Sequence, residues 1–358
     1  MKIAVIVGAR PQFITCVPLS RQIRRRHREV LIHTGRRSDP GLSPIFFDQL
    51  GIPAPDIELG VGSGPHGDQT ARMLWGLEEV LLKERPDAAV VFGDANSTLA
   101  GAMAAAKLNI PVVHVEAGMR SFNRRMPEEI NRLLTDRLSA LLFCSTATAV
   151  QNLREEGIVE GVHHTGDVMV DALMEHAGQA EKGSRILQRL GLDPGGYYLA
   201  TVHRAENTGR PEVLKNLFTA FDDLDRPVIF PVHPRTARAM KDHGLGPGER
   251  SPLRPVEPVG YLDMLMLERN ACKILTDSGG MQKEAFLFEV PCITLRGETE
   301  WPETLQDGWN VLTGADPKAV VRAAQAPRPG TPPGRPFGDG RAAERMAGLL
   351  ESLELNDG

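Results

Sequence analysis

Cysteine is scarce: the 358 residues contain four, Cys16, Cys144, Cys272 and Cys292, and none stands in a C-x-x-C pair. That spacing argues against a disulfide scaffold or a zinc framework. Cys144, Cys272 and Cys292 lie in or beside apolar strand-like runs, so free buried thiols are expected. The ten histidines are scattered and none forms an H-x-x-x-H pair, so no metal site is expected. No apolar run is long enough to cross a bilayer. A strand-like run already begins at Lys2, which leaves no room for a signal peptide. A reduced, cytoplasmic protein is the expectation, with no membrane partner. Positive charge is not in excess either: 41 basic residues face 46 acidic ones, net −5. Nothing global therefore attracts nucleic acid, and an anionic ligand must be met by local cations and backbone N–H groups. No short-period repeat is present.

What is present is a soluble globular composition, 41% hydrophobic and 24% charged, in a chain long enough for two domains. The first half alternates strand and helix patterns. Strands are predicted over 2–7, 29–33, 88–92, 111–115 and 140–144, and helices over 13–26, 44–50, 69–84, 97–108 and 147–156. Pro127 opens a further amphipathic helix with Ile130, Leu133, Leu134 and Leu138 on one face. A helical connector is expected over 166–190. The second half repeats the rhythm, with strands over 197–202, 227–232, 272–276, 291–296 and 310–313. Helices are expected to begin near Pro211, Pro234, Tyr261, Met281, Pro302 and Asp316. A Pro/Gly-rich linker, 327–340, precedes a last helix over 341–353. Such alternation predicts an α/β protein with parallel sheets covered on both faces. The predicted division is 1–170, 171–340 and a C-terminal helical segment, 341–358, packing towards the first domain. Ligands of open α/β sheets lie beyond the carboxyl ends of the strands, so a cleft between two such domains is the expected site.

The residues after each predicted strand form a chemical set. Gly8-Ala9-Arg10-Pro11 follows the first, with an arginine suited to a phosphate. Gly93-Asp94 follows the third, where Asp94 reads equally as a helix cap. Glu116 follows the fourth, and Glu128 and Glu129 stand in the first turn of the next helix. The helix dipole alone accounts for acidic residues there. Arg120, Arg124 and Arg125 lie between these carboxylates. His203 and Arg204 follow the strand ending at Val202, and His233 the one ending at Val232. Ser278-Gly279-Gly280 opens a helix and offers N–H groups, a hydroxyl and a favourable dipole to a diphosphate. Glu284 on that helix suits a pair of ribose hydroxyls. Arg296 ends the next strand.

These residues occur in stretches that identify a resemblance: GARPQF (8–13), GDANSTLAGA (93–102), HVEAGMRSFNRRMPEEINRLLTD (114–136), TVHRAEN (201–207), PVHP (231–234), TDSGGMQKEA (276–285) and FGDG (337–340). The chain resembles the non-hydrolysing UDP-N-acetylglucosamine 2-epimerases along its whole length. The resemblance implies two Rossmann-like domains in the B-type glycosyltransferase fold, a homodimer, a UDP-sugar substrate and no cofactor. It implies that Asp94, Glu116, Glu128 and His203 are catalytic. It also implies that Arg10, Ser278 and Gly279 contact phosphate and that Glu284 clamps the ribose. Arg120, Arg204, His233, Gly280 and Arg296 are taken as further substrate contacts.

Two departures matter. Thr15 replaces the family's lysine, and Arg36-Arg37 replaces the Gln-His segment that helps some relatives hold a second, activating sugar nucleotide, so no such activation is expected. The stretches 62–74, 120–132 and 297–304 resemble a branch acting on UDP-2,3-diacetamido-2,3-dideoxyglucuronate. Two other readings remain open here: a glycosyltransferase of the same fold, and a UDP-sugar-binding paralogue disabled at Thr15.

Overall fold

The computed structural model describes residues 1–35, 51, 53–248 and 251–356, excepting the side chains of Arg10 and of residues from 354 on. The helix expected over 44–50 and the Arg36-Arg37 segment lie outside the described residues. The chain divides into two units, one comprising Met1–Glu175 with the residues from Arg335 onward, the other His176–Gly334.

In the first unit the order is β1 (Lys2–Val7), α1 (Arg10–Arg26), β2 (Arg28–His33), β3 (Ile57–Glu58), α2 (His66–Glu84), β4 (Ala88–Phe92), α3 (Asn96–Lys107), β5 (Val112–Ala117), α4 (Pro127–Leu138), β6 (Leu141–Cys144), α5 (Ala147–Glu155) and β7 (Val162–His164). Helix α6 (Val168–Gly183) runs across the division. The seven strands are all parallel, in the order β3-β2-β1-β4-β5-β6-β7. The central strands are unbroken apolar runs because both sheet faces are covered: Ile3–Val7 and Ala88–Phe92 are buried throughout.

The second unit runs α7 (Ile186–Leu190), β8 (Tyr198–Thr201), α8 (Ala205–Thr208), α9 (Pro211–Asp222), β9 (Val228–Pro231), α10 (Pro234–His243), β10 (Leu253–Val256), α11 (Tyr261–Arg269), β11 (Lys273–Thr276), α12 (Gly279–Leu287), β12 (Cys292–Thr294), β13 (Asn310–Leu312) and α13 (Pro317–Gln325). Its parallel sheet has the order β10-β9-β8-β11-β12-β13. The two sheets are thus α/β and doubly wound, as expected, and each reverses strand order once, at β1/β4 and at β8/β11. Helix α14 (Ala342–Leu350) belongs to the first unit. There the amides of Ala342 and Ala343 donate to the Asp171 carboxylate at 3.1 and 3.0 Å.

Three strands escape the sequence pattern: β3, β7 and β10. All are short and lie at sheet edges, and β10 carries Pro255, which only an edge strand accepts. The helix expected at Pro302 is a 3-10 turn, Pro302–Gly308.

The largest reversal concerns α4. An amphipathic helix normally turns its apolar stripe to the core. Here Ile130, Leu134 and Leu138 are exposed, while Glu129, Asn131, Arg132, Thr135 and Asp136 are buried. The periodicity is real but the polar face points inward. Asp136 shows why this is tolerated. Its carboxylate pairs with His114 Nδ1 at 2.7 Å and Arg120 Nη1 at 2.8 Å, and accepts the Gly118 amide. Removing one member of such a buried set leaves charges without partners. Asp136→Ala is therefore expected to cost about 3–5 kcal/mol in urea unfolding, although the exposed Leu134 and Leu138 stand only two positions away on either side.

Candidate active site

Ligands of doubly wound sheets bind at the point where strand order reverses. In the first unit that point is the carboxyl end of β1 and β4. At the end of β1, Gln12 Oε1 accepts the amides of Gly8 and Ala9 at 2.7 and 3.0 Å, and its Nε2 donates to the Phe92 carbonyl at 2.6 Å. One side chain so ties the two strand ends together. A Cβ at Gly8 would meet Thr34 Oγ1 at 2.5 Å and Ser97 at 2.6 Å, so only glycine fits. Arg10 opens α1 here, but its side chain lies outside the described residues. Thr15 is buried and its hydroxyl donates to the Pro11 and Gln12 carbonyls of its own helix, both at 3.3 Å. It brings no charge to the site.

Next along the sheet, β5 departs from ideal geometry. The β5–β6 register slips between Val115 and Ala117, and the intervening Glu116 has φ +68°. Glu116 therefore lies within the strand, on a bulge, rather than beyond its end. A bulge re-aims the side chain it carries, and a left-handed non-glycine residue costs roughly 1–3 kcal/mol. The Glu116 carboxylate passes over Gly93, which has φ +60°; a Cβ there would stand 3.1 Å from Glu116 Oε2. Asp94 is the next residue, so the strained Glu116 carries its carboxylate to the position beside Asp94 in the chain. His114 supports this point from below, with Nε2 at 2.8 Å from the Gly93 carbonyl.

The inward face of α4 completes the set. Arg132 is buried, and its Nη2 lies 2.5 Å from Asp94 Oδ2 while Nη1 lies 3.1 Å from Glu129 Oε2. Asn131 donates to the Asp94 carbonyl at 2.9 Å. Glu128 is half-buried in the first turn. Glu129 is not a solvated first-turn charge. It is 2% exposed and accepts the Ser121 amide and hydroxyl, both at 2.9 Å, and the Phe122 amide at 3.0 Å. It pins the loop ahead of its own helix.

Arg120 is placed differently from its expected role at the substrate. Its guanidinium is buried and committed: Nε and Nη2 donate to Glu156 at 2.7 and 2.8 Å, and Nη1 pairs with Asp136. Glu156 and Asp136 keep it firmly charged against the burial that opposes charge. Arg124 and Arg125 are exposed.

In the second unit the reversal point is the end of β8 and β11. Asp277 organises it. Its carboxylate accepts the backbone amides of His203 (3.0 and 3.1 Å) and Arg204 (2.9 Å), Asn207 Nδ2 (3.0 Å) and His203 Nδ1 (3.0 Å). Burial alone would raise its pKa; the bonds and charge of His203, with the Arg204 amide and Asn207, outweigh burial and hold it below the usual carboxylate range. The imidazole is thereby fixed through Nδ1, leaving Nε2 for chemistry. Its ring stands 5.4 Å from that of His233. His233 caps α10, its Nδ1 accepting the Arg235 amide at 3.2 Å, and burial with the neighbouring His203 lowers its pKa. Arg204 is half-buried, and its Nε has no hydrogen-bond partner.

Ser278 caps α12, its hydroxyl accepting the Met281 amide, with Gly279 and Gly280 in the first turn. Glu284 is buried and accepts the Tyr261 hydroxyl at 3.1 Å. Arg296 is buried in a bidentate pair with Glu300, 3.0 and 3.1 Å, so this guanidinium, like that of Arg120, is committed within the protein. Lys283 Nζ lies 3.8 Å over the Trp301 ring. The four cysteines are free. Burial pushes the Cys144 and Cys292 thiols up to about 12, so neither is a nucleophile.

Sequence reasoning missed Arg132, Glu129, Asp136 and Asp277 as site-building groups. A signal existed for one of them: Arg132 follows Glu129 by three positions and Glu128 by four, the spacing of helix neighbours. The first unit thus holds carboxylates suited to proton transfer, and the second a histidine, an arginine and a glycine-rich helix start suited to an anion.

Residues 21–351 match the family model described as UDP-N-acetylglucosamine 2-epimerase. A Methanococcus maripaludis protein named as a UDP-N-acetylglucosamine 2-epimerase homolog is 49% identical over 99% of this chain and all of its own length. The UDP-2,3-diacetamido-2,3-dideoxy-D-glucuronate 2-epimerase of Pseudomonas aeruginosa is 44% identical, again over 99% and 100%. The crystal structure of the Methanocaldococcus jannaschii UDP-GlcNAc 2-epimerase, in complex with UDP-GlcNAc and UDP, is 43% identical. It has a TM-score of 0.91 and covers 98% of this chain and 100% of its own.

Strain at Glu116 is separable from chemistry. Glu116→Gly removes the left-handed penalty and is expected to raise unfolding free energy by about 1 kcal/mol in a denaturant titration, while abolishing whatever proton transfer the carboxylate performs.

Proposed function

The chain belongs to the UDP-N-acetylglucosamine 2-epimerase family, and from that premise we propose that it inverts C2 of a UDP-linked 2-acetamido sugar. The observation that carries this is the grouping of Asp94 and the strained Glu116 around Gly93, with Arg132 locking Asp94 to the helix of Glu128. The C2–H bond of the sugar is not acidic by itself. When the C1–O bond breaks and UDP departs with the electron pair, C1 becomes oxocarbenium-like and C2–H acidic. One carboxylate of the Asp94, Glu116 and Glu128 set takes that proton, giving a glycal. UDP then re-adds through a phosphate oxygen at C1 while another group returns a proton to the opposite face of C2. The sequence is redox-neutral and consumes no co-reactant.

The division of labour we propose follows the two units: proton transfer from the first, UDP handling from the second. Ser278, Gly279 and Gly280 would receive the diphosphate, Arg204 would supply a cation, and His203, oriented by Asp277, would meet the charge that develops on the leaving group. Glu284 would hold the ribose hydroxyls. An apolar depression lined by Val232, Pro234, Pro255, Val256 and Pro258 opens near the ends of β9 and β10 and suits a flat base. A C6-carboxylated diacetamido sugar is the second candidate substrate. The 44% identical relative favours it, as do Arg124 and Arg125 on the loop pinned by Glu129.

Incubation with UDP-GlcNAc, and separately with the diacetamido uronate, in deuterated water tests this. Deuterium at C2 with the UDP-sugar retained is the expected result for one or both, and Glu116→Gln or Glu128→Gln should slow exchange by about 10²–10⁴-fold. Tight UDP binding without exchange would instead mark a disabled paralogue, and transfer of the sugar to an added acceptor a glycosyltransferase.

We propose a homodimer built on the exposed stripe of α4, the second copy covering Ile130, Leu134 and Leu138. A stripe of that kind on a helix whose other face is already buried is a surface left for a partner. Leu134→Asp is expected to shift the protein from dimer to monomer in light scattering, and an unchanged dimer would place the interface elsewhere.

A further inference from the structure

Behind the helix start that receives the diphosphate lies a buried acid with no assigned role. Glu268, on α11, is 0% exposed, and among the described residues no N–H or O–H donor reaches either carboxylate oxygen. An ionised carboxylate in that state is very costly. The group it faces is a second carboxylate, Glu284 of α12. Glu284 is anchored to the same helix from which Glu268 projects: Tyr261, two turns earlier on the same face, donates its hydroxyl to Glu284 Oε1 at 3.1 Å.

The titratable groups around the pair are Tyr197 from the start of β8, whose hydroxyl donates to the Leu267 carbonyl, Cys292 of β12, and His176 of α6, whose ring meets Tyr261 edge-on at 5.7 Å. Among the described residues no lysine or arginine acts on Glu268. Two carboxyl groups in contact, one of them with no cation acting on it, hold one proton between them. The more deeply buried member keeps it. Glu268 is the deeper, and Glu284 is the one that already accepts a hydroxyl.

We propose that Glu268 is a positioning residue: protonated, it donates its hydrogen to Glu284, so that Glu284 stays ionised and fixed as the acceptor for the ribose hydroxyls of a UDP moiety. The inference rests on the reading of Glu284 as the ribose clamp given above. Glu268 touches no substrate itself. Its direction of titration agrees, since burial first, and then Glu284, push its pKa well above the carboxylate range. The sign for stability follows. Between the unfolded value and the raised folded one, the native state binds the extra proton, so this pair makes the protein lose stability as pH rises.

Calorimetric titration with UDP separates the possibilities. Glu268→Gln keeps a donor in the same shape and should bind UDP within about twofold of the parent, whereas Glu268→Met, without one, should bind about tenfold more weakly. Equal affinity of the Met variant and the parent would overturn the proposal, as would equal losses in both variants. Glu284→Ala serves as the control. If it leaves UDP affinity unchanged, the clamp reading itself fails, and the proposal with it. If it weakens UDP while Glu268→Met does not, only the role of Glu268 fails. Melting temperature against pH gives a readout that survives a poorly folding Met variant: the parent should lose stability relative to Glu268→Gln as pH rises, and parallel curves would sink the shared proton.

Discussion

A buried guanidinium holds the first unit's chemistry in place. Arg132 stands between Asp94 and Glu129, and through these two it joins the end of β4 to the loop that precedes its own helix. Ion pairs removed from water are not stabilising in general, because desolvation offsets their attraction. What they do well is fix a geometry, since a misplaced partner leaves a bare charge. Here that property is what the site needs. Asp94 and Glu128 come from different α/β units, and Arg132 with Asn131 makes their separation a consequence of one helix position. The cost is visible at the Arg132 Nε, which is buried without a partner, and on the outer face of α4, where leucines are left in solvent.

The second unit reaches an equivalent result with an anion. Asp277 collects two backbone amides, an asparagine and an imidazole. Four donors to one carboxylate make it a fixed negative point from which His203, Arg204 and the Ser278 helix start are aimed. Both organising groups sit where their sheets reverse strand order. The topology opens a space there that backbone hydrogen bonding does not fill, and a charged side chain with several partners is what sets the loops around it.

How much of this was legible in the sequence depends on which physical signal was asked. Continuous apolar runs such as Lys2–Val7 and Ala88–Phe92 identify central parallel strands because only these are buried on both faces. Residues following them, Asp94, His203 and Ser278, inherit their positions from the strands and could be located to within a residue or two. The edge strands β3, β7 and β10 have no such signature, being two to four residues long. The inversion of α4 was not legible either. Period 3.6 defines a face but carries no information about which side the core is on, and the partners of Asp136 and Arg132 lie tens of residues away in the chain. For the same reason Arg120 read as a free loop cation, although Glu156, thirty-six positions on, neutralises it.

Thr15 bears on how charge is shared between the units. The family resemblance places a lysine at this position, and the structure shows the threonine hydroxyl spent inside α1. In the reaction proposed above, the diphosphate charge released at C1 would have to be met elsewhere. Arg132, Arg120 and Arg296 are each already committed to two or more carboxylate oxygens, and pulling one away would expose a buried anion. The second unit offers Arg204, whose Nε has no partner among the described residues, and the amides of the Ser278 helix start. On this account the second unit meets the leaving group with Arg204 and a helix dipole. The enzyme would then depend more heavily on closing out water there, since a dipole loses most of its effect in a high dielectric.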